Sequence, residues 1–356
     1  MTPTPSGLDL YMLPAANGDC LWLEYGDGPD RKRILVDCGT ESSWPALQAR
    51  ILRQPEDQRH FDLLVITHID GDHIGGALPL LKHRHVLGLS FGEIWFNDAD
   101  AIVATGLGVG EGIVLSKILG GDAELRRAWN RSTRPKAVGI PELKPGTVLP
   151  GFDFGELRLT LLSPTRRQLR RLKDKWSKVV AELDEKRKRQ PGFVIPAEKW
   201  LGGAAASGAS SVPCAARDTS VSNGSSIAFL ATYRGTSILF GADAFAPTLR
   251  KSLDHLQLPQ PISCFKLSHH GSKANLTAPL LAAASSHHFL FSSDGSEHGH
   301  PHPETLEMVT AGDTPKTLHF NYRARHVLDW LAAHPAGPGR NYAFAFVDGA
   351  DYRVSP

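Results

Sequence analysis

Apolar residues in the first hundred positions recur in two rhythms. Short β-rich runs at Leu8–Leu13, Cys20–Tyr25, Arg33–Asp37, Leu63–Thr67 and Glu93–Phe96 are bounded by Gly, Pro, Asn or Asp and predict strands. Ser43–Gln54 and Ile74–Lys82 repeat near the 3.6 period and predict helices. The opening strands follow one another directly, whereas later ones alternate with helices. Because each sheet must bury an apolar face, this mixture predicts an α/β sandwich of mixed β-sheets flanked by helices.

The rhythm breaks after the strand Leu157–Leu162. Across Arg166–Arg189, eleven basic residues stand against four acidic ones. Leu169, Leu172, Trp176, Val179, Val180 and Leu183 recur at three- and four-residue steps, which predicts an amphipathic helix. Its basic side can grip a nucleic-acid backbone or simply be solvated. Gly202–Ser211 and its Ser/Ala/Gly-rich continuation to Ser226 predict a mobile loop. Strands resume at Ile227–Tyr233 and Ser237–Phe240, joined by a turn containing Gly235, and alternation continues to Val347. One domain over residues 1–356 is expected, interrupted by an insertion at about 165–223. That insertion is expected to shape or gate the active site, with Gly202–Ser220 the preferred point of proteolytic nicking.

Composition narrows the class. With 41% hydrophobic and 21% charged residues over 356 positions, a sizeable core is expected. A formal charge of +2 excludes a broadly basic nucleic-acid binder but leaves room for a local patch. Cys20, Cys38, Cys214 and Cys264 are scattered without a C-x-x-C pair, which argues against a disulfide scaffold or zinc ribbon. Met1–Leu13 lacks the pattern of a signal peptide, and no run reaches the roughly 18 apolar residues of a membrane helix. A soluble cytoplasmic protein is expected.

The densest chemistry lies at His68-Ile69-Asp70-Gly71-Asp72-His73, where four candidate ligands follow an apolar strand. A strand-to-helix turn can aim such side chains into one concave site. Imidazole with carboxylate suits zinc or manganese better than a thiolate-preferring metal. This H-x-D-x-D-H run resembles the H-x-H-x-D-H motif of the metallo-β-lactamase superfamily, with Asp70 in place of the second His. Followed by Ile74-Gly75-Gly76, it is similar to the hydrolase domain of the bacterial competence DNA-uptake channel and its free-standing relatives. Further segments resemble the same group: Asn17–Cys20 with Ile34–Gly39, Asn223–Ile227 with Leu239–Asp243, Lys266–Lys273, and Gly299–Glu304.

The resemblance implies a metallo-β-lactamase fold and two divalent ions, zinc or manganese. It assigns His68 and Asp70 to one ion, Asp72 and His73 to the other, and Asp243 to a bridging position. One histidine of His269-His270 completes the second ion; His269 is favoured, with His270 orienting ligands or substrate. Asp37 is expected to support the histidines by hydrogen bonding. Many superfamily members supply another histidine between the main motif and the bridging Asp. Here only His83 and His85 occur there, both too close to the motif. Asn97 either stands in that place or is an ordinary strand-end residue.

Two divalent ions can activate water and neutralise charge on a phosphoryl or carbonyl oxygen. Asp72 would orient the nucleophile, and His300 would protonate the leaving group. Ser272 and Lys273 either donate to a substrate phosphate or form a solvated turn; His302 is a further substrate-binding candidate that reads more naturally as surface. The expected function is a phosphodiesterase or nuclease acting on DNA. The alternatives are a hydrolase of small esters, lactones or thioesters, and a latent hydrolase released by a regulatory partner or a protease acting on the insertion.

Overall fold

A computed structural model describes residues 7–98, 110–133, 137–189, 217–256, 261–337, 339–346 and 352–356. The strands are β1 (Leu8–Met12), β2 (Leu21–Tyr25), β3 (Lys32–Val36), β4 (His60–Ile66), β5 (Ser90–Phe96), β6 (Gly151–Phe154), β7 (Leu157–Ser163), β8 (Ala228–Tyr233), β9 (Thr236–Phe240), β10 (Ile262–Lys266), β11 (Ser286–Phe291), β12 (Lys316–Phe320), β13 (Tyr342–Phe346) and β14 (Tyr352–Val354). They form a six-stranded sheet in the order β14-β1-β2-β3-β4-β5 and an eight-stranded sheet in the order β13-β12-β11-β10-β9-β8-β7-β6. Each is mixed: β3, β4 and β5 run parallel, as do β9 to β13, and the remaining pairs are antiparallel.

Strand parity explains the layering. Side chains alternate across a sheet, so Ile34 and Val36 of β3 and Leu63 and Val65 of β4 join the core shared with Leu159, Phe229, Phe240 and Phe265 of the second sheet. Leu35, Leu64 and Ile66 point the other way, onto Leu47, Ile51, Leu80, Leu115 and Leu119 of the covering helices. Helices Ala246–Leu253, Ala278–Ala283, Pro303–Thr310 and Arg325–Ala333 bring Leu249, Leu280, Leu306 and Val327 to the core of the second sheet. The central strands are therefore buried on both faces, which is why they read as continuous apolar runs. This is the αββα sandwich that the two rhythms predict.

Two short strands lie outside those rhythms. β14 closes the first sheet against β1, with Leu10 opposite Val354, and Asp9 accepts from Arg31, Arg353 and Ser355 there. β6 is a four-residue edge strand on β7. The helix expected at Ile74–Lys82 is two pieces, Gly71–Ile74 and Ala77–His83. Gly75 and Gly76 divide them because a Cβ at either would collide with the backbone of Glu41 or Cys38. Asp72 and His73 consequently lie within a helical turn instead of before one. Cys20, Cys38 and Cys264 are buried free thiols, and burial pushes Cys38 and Cys264 well above the ordinary thiol range.

The amphipathic helix forms over Arg166–Arg189. Leu169, Leu172 and Trp176 are buried, whereas Arg166, Arg167, Arg170, Arg171, Lys175 and Lys178 are exposed. The Trp176 indole occupies space that only Gly112 leaves open: a Cβ there would lie 2.7 Å from Trp176 Cη2 and 3.3 Å from Ile69 Cγ2. The helix is thereby seated beside the segment that carries His68 and Asp70. Most of the expected nicking segment, and Cys214 with it, falls in 190–216, outside the described residues. Trp176→Ala should destabilise the protein by about 3–5 kcal/mol, as emptying a buried aromatic site does. Val86→Ala, at a side chain 87% exposed, should stay within about 0.5 kcal/mol. Urea denaturation of both variants checks the contrast.

Candidate metal centre

The centre is assembled where strand ends of the two sheets meet. β3 ends at Val36, and Asp37 follows in the left-handed region (φ 57). That turn aims its carboxylate at the end of β4, where it accepts from the Thr67 backbone N–H at 2.8 Å and the Thr67 hydroxyl at 2.7 Å. The same carboxylate lies 2.8 Å from His73 Nδ1, which donates to it. The Thr67 oxygen in turn lies 3.0 Å from His68 Nδ1. Since the hydroxyl proton goes to Asp37, His68 Nδ1–H donates to Thr67. Asp37 thus orients both rings without facing the centre itself, the supporting role its sequence position suggested.

The second sheet supplies the remaining groups. Asp243 follows β9, and its buried carboxylate reaches toward all four imidazoles. His269 and His270 follow β10 as consecutive left-handed residues (φ 49 and 54). His269 Nδ1–H donates to Asn275 Oδ1 at 2.9 Å, and His270 Nδ1–H donates to the Ser292 carbonyl at 2.9 Å. All four histidines therefore use Nδ1 outward and leave Nε2 lone pairs facing one cluster.

Around Asp243 these groups fall into two sets. Oδ2 lies 3.7 Å from His68 Nε2 and 3.7 Å from His269 Nε2, with Asp70 Oδ2 3.5 Å from His68 Nε2. Oδ1 lies 3.5 Å from His73 Nε2 and 3.8 Å from His270 Nε2, and Asp72 Oδ2 is 3.2 Å from His270 Nε2. With metal–nitrogen bonds of about 2.1 Å, the edge of a tetrahedron around zinc is about 3.4 Å, so both sets have the spacing of ligands around an ion. Two further observations fit a cation. His68 Nε2 and Asp243 Oδ1 are buried without a hydrogen-bond partner, and His73 Nε2 sits 3.2 Å from His270 Nε2. Two lone pairs that close require a proton or a metal between them. His68, His73 and Asp243, and separately Asp19, His73 and His270, could each hold an ion; Asp19, however, is already paired with Lys266.

This arrangement revises part of the expected partition. His270, and not His269, stands beside His73 and Asp72, whereas His269 joins the set around Asp243 Oδ2. The two left-handed residues turn neighbouring rings toward opposite oxygens of one carboxylate, which spacing in sequence does not convey. Asn97 fits the ordinary strand-end reading: its amide bonds both ways to the Val138 backbone, at 2.7 and 2.8 Å.

The other candidates divide similarly. Ser272 is buried, and its Oγ accepts from the Ala274 N–H within the turn. Lys273 is exposed and ion-paired with Glu304 at 2.7 Å, so the solvated-turn reading fits Lys273 but not the buried Ser272. His302 Nδ1 accepts from the Lys273 backbone N–H at 3.2 Å. The buried ring of His300 stands 5.0 Å from that of His269 and 4.7 Å from that of His302. Burial, then the neighbouring imidazoles, holds His300 far below the ordinary histidine range. It is therefore a neutral imidazole, poorly suited to giving up a proton as an imidazolium, contrary to the expectation above.

Several supporting residues were not singled out in the sequence. Asp218 accepts from Asn223 at 2.8 Å and Asn275 at 2.9 Å and lies 3.5 Å from His269 Nδ1. Burial opposes its ionisation, but these contacts hold its carboxyl at about 2. Ser222 donates to Asp70 at 2.6 Å. Asp19 pairs with the fully buried Lys266 at 2.8 Å and lies 3.3 Å from His270 Nδ1. The signals were slight: a lone lysine closing the apolar strand β10, and Asp19 inside the quoted Asn17–Cys20 segment. Gly18 presses on the metal-ligand loop, since a Cβ there would overlap the Asp72 carbonyl.

A two-sheet sandwich whose strand ends bring imidazoles and carboxylates around a shared Asp is a metal-dependent hydrolase type of scaffold. Residues 14–165 match the family model described as Metallo-beta-lactamase superfamily. Its members bind divalent metals, often two. No curated protein matches the chain in sequence. Among solved structures it is similar to CmlA, a diiron beta-hydroxylase from Streptomyces venezuelae, at 14% identity and TM-score 0.43, covering 99% of this chain and 55% of CmlA. The chain thus spans about half of that protein's length. It is also similar to a Cronobacter sakazakii metallo-β-lactamase with a HARLDQ motif, at 12% identity and TM-score 0.33, covering 78% of this chain and 91% of the other. Among the described residues, no helix is long and apolar enough to cross a membrane.

Lys266→Met should cost about 3–5 kcal/mol, because it leaves the Asp19 charge buried without its partner. The double variant with Asp19→Asn should recover part of the loss in chemical denaturation. A pH profile of the metal-free protein offers a second check. His270 is opposed by burial but held at about 9 by Asp19, Asp243 and Asp72, above its ordinary 6.5. Its stabilising contribution is therefore complete below about 6.5 and lost as pH rises through about 9. Asp218, lowered from 3.8 to about 2, contributes above about 3.8 and loses that contribution as pH falls through about 2. The metal-free melting temperature should peak between these limits, and His270→Asn should flatten the alkaline limb in calorimetry.

Proposed function

We propose that the protein is a two-metal phosphodiesterase that cleaves nucleic acid, with DNA the foremost substrate. The observation that carries this reading is the pair of ligand sets on opposite oxygens of Asp243, each adding a second carboxylate, Asp70 or Asp72. When bound there, two divalent ions would supply an activated water and a positive clamp on a phosphoryl oxygen. The mouth is open: the side chains of Asp70 and Asp72 are 21% and 22% exposed, and that of His269 is 22% exposed. The helix Arg166–Arg189, seated beside Ile69 through Trp176, carries exposed cations on its outer face. An open, cation-flanked mouth suits an extended anionic chain better than a small apolar ester.

The chain's own groups then divide the work. Desolvation opposes charge on the part-exposed Asp72, but His73, His270 and His68 hold its carboxyl well below the ordinary range. It therefore stays ionised and orients the attacking water by accepting a hydrogen bond from it. The water oxygen bonds to phosphorus as the phosphorus–oxygen bond to the leaving group breaks, and the proton that the water loses is balanced by one that the departing oxygen takes from solvent at the open mouth. His300, kept neutral, can donate one N–H to a non-bridging phosphoryl oxygen as charge develops. Asp37, Asn275 and the Ser292 carbonyl keep the imidazoles from turning during the reaction.

Reconstituted protein should carry two zinc or manganese ions per chain by elemental analysis. Asp243→Ala should lose both, whereas His269→Ala and His270→Ala should each weaken one. Manganese-loaded wild type should cleave DNA and a chromogenic phosphodiester; Asp72→Ala should abolish this, and His300→Ala should lower kcat about 10²-fold. Metal-loaded protein that is inert on DNA, RNA and simple diesters yet opens lactones or thioesters would overturn the reading.

A further inference from the structure

Beside the centre, helices Arg166–Arg189 and Ala246–Leu253 enclose a groove of about 310 Å³. Leu143, Phe245 and Pro247 give it apolar surface, and Arg167, Arg171 and Lys251 line it with positive charge. All three cations are exposed, and among the described residues none of their side chains has an ion pair or hydrogen bond. Glu142 is the one acidic residue in the lining. It is already engaged, accepting from the Arg167 backbone N–H at 2.7 Å and lying 3.6 Å from Arg170 Nη2. Arg167 and Arg171 are one helical turn apart on the same face, an arrangement of like charges that costs free energy unless an anion lies near both.

The groove leads to the metal centre through three contiguous residues. Phe245 is half-buried and follows Asp243 by two positions. Its ring packs on Gly224, where a Cβ would come within 2.7 Å of Phe245 Cε2. The preceding Asn223 reaches His269 Nδ1 at 3.5 Å. A chain lying in the groove would therefore arrive at the mouth beside His269.

We propose that this groove binds a single-stranded segment of nucleic acid, with phosphates paired to Arg167, Arg171 and Lys251 and a base stacked on Phe245. The inference rests on the preceding reading that the centre cleaves phosphodiesters, and adds the strand form and its path. The cations meet the backbone, and the half-exposed ring between them offers a platform that any base can use. A free phosphate would use the charges but leave the apolar surface uncovered. A duplex keeps its bases stacked inside and cannot offer one to Phe245.

The test measures anisotropy of a labelled, hydrolysis-resistant phosphorothioate oligothymidylate with the full-length, metal-loaded protein. The combined variant Arg167→Glu/Arg171→Glu should raise Kd at least about tenfold and reduce the salt-dependence slope by about 1.4, at about 0.7 per phosphate contact. Phe245→Ala should raise Kd about tenfold for the single strand and much less for a duplex, with Phe245→Trp retaining wild-type affinity. Arg340→Glu, on an exposed cation at the start of the chain entering β13, should change nothing. If wild type cleaves DNA while the charge reversal leaves Kd and slope unaltered, the groove assignment is wrong and the catalytic reading stands. Equal competition by polyglutamate would likewise overturn it. If wild type neither binds nor cleaves any nucleic acid, the catalytic reading fails first.

Discussion

Four imidazoles and the carboxylates of Asp70 and Asp72 crowd around the two oxygens of Asp243, with His68, His73, His270 and Asp243 itself buried. Such a cluster cannot stand on internal hydrogen bonds alone, because facing Nε2 lone pairs and neighbouring carboxylates repel in a poorly screened interior. Either protons or cations must sit among them. Much of the surrounding structure is arranged to make that demand specific. Nδ1 of every ring is occupied by Thr67, Asp37, Asn275 or Ser292, so the rings cannot turn away and satisfy themselves elsewhere.

Holding the cluster together also draws on strained backbone. Asp37, Ala242, His269 and His270 all adopt left-handed conformations, each at a cost on the order of 1–3 kcal/mol. The cost is offset by the scaffold behind them. Parallel strands buried on both faces present their ends at a fixed spacing, and the short segments after β3, β4, β9 and β10 have little freedom left. The Asp19–Lys266 pair extends this support beneath His270. Its two charges are buried, so its role is orientation and conformational specificity more than net stability.

The basic helix joins the same design. Its apolar stripe seats it through Trp176 against Gly112 and Ile69, and its other face exposes cations. The residues that follow the undescribed segment enter the site as well: Asp218 contacts His269, and Ser222 contacts Asp70. What interrupts the strand pattern in the sequence is thus bound to the chemistry in space. A carboxylate-rich pair of ligand sets, part-exposed at the mouth, therefore lies beside a helix whose outer face carries exposed cations.

The sequence by itself determined the layered fold, because strand alternation and helical periodicity record directly which faces are buried. It also determined the His68–His73 run, where ligand types are packed too closely for an ordinary turn, and the apolar stripe of the basic helix. Only the tertiary structure decided how His269 and His270 divide between the two oxygens of Asp243, since that depends on two left-handed residues and not on spacing. It alone showed the Asn97 amide bonded to Val138, and it alone showed Asp19, Lys266, Asp218 and Asn275 as supports. Their partners lie tens to hundreds of positions away, and a contact made across two sheets leaves no periodic trace in either strand.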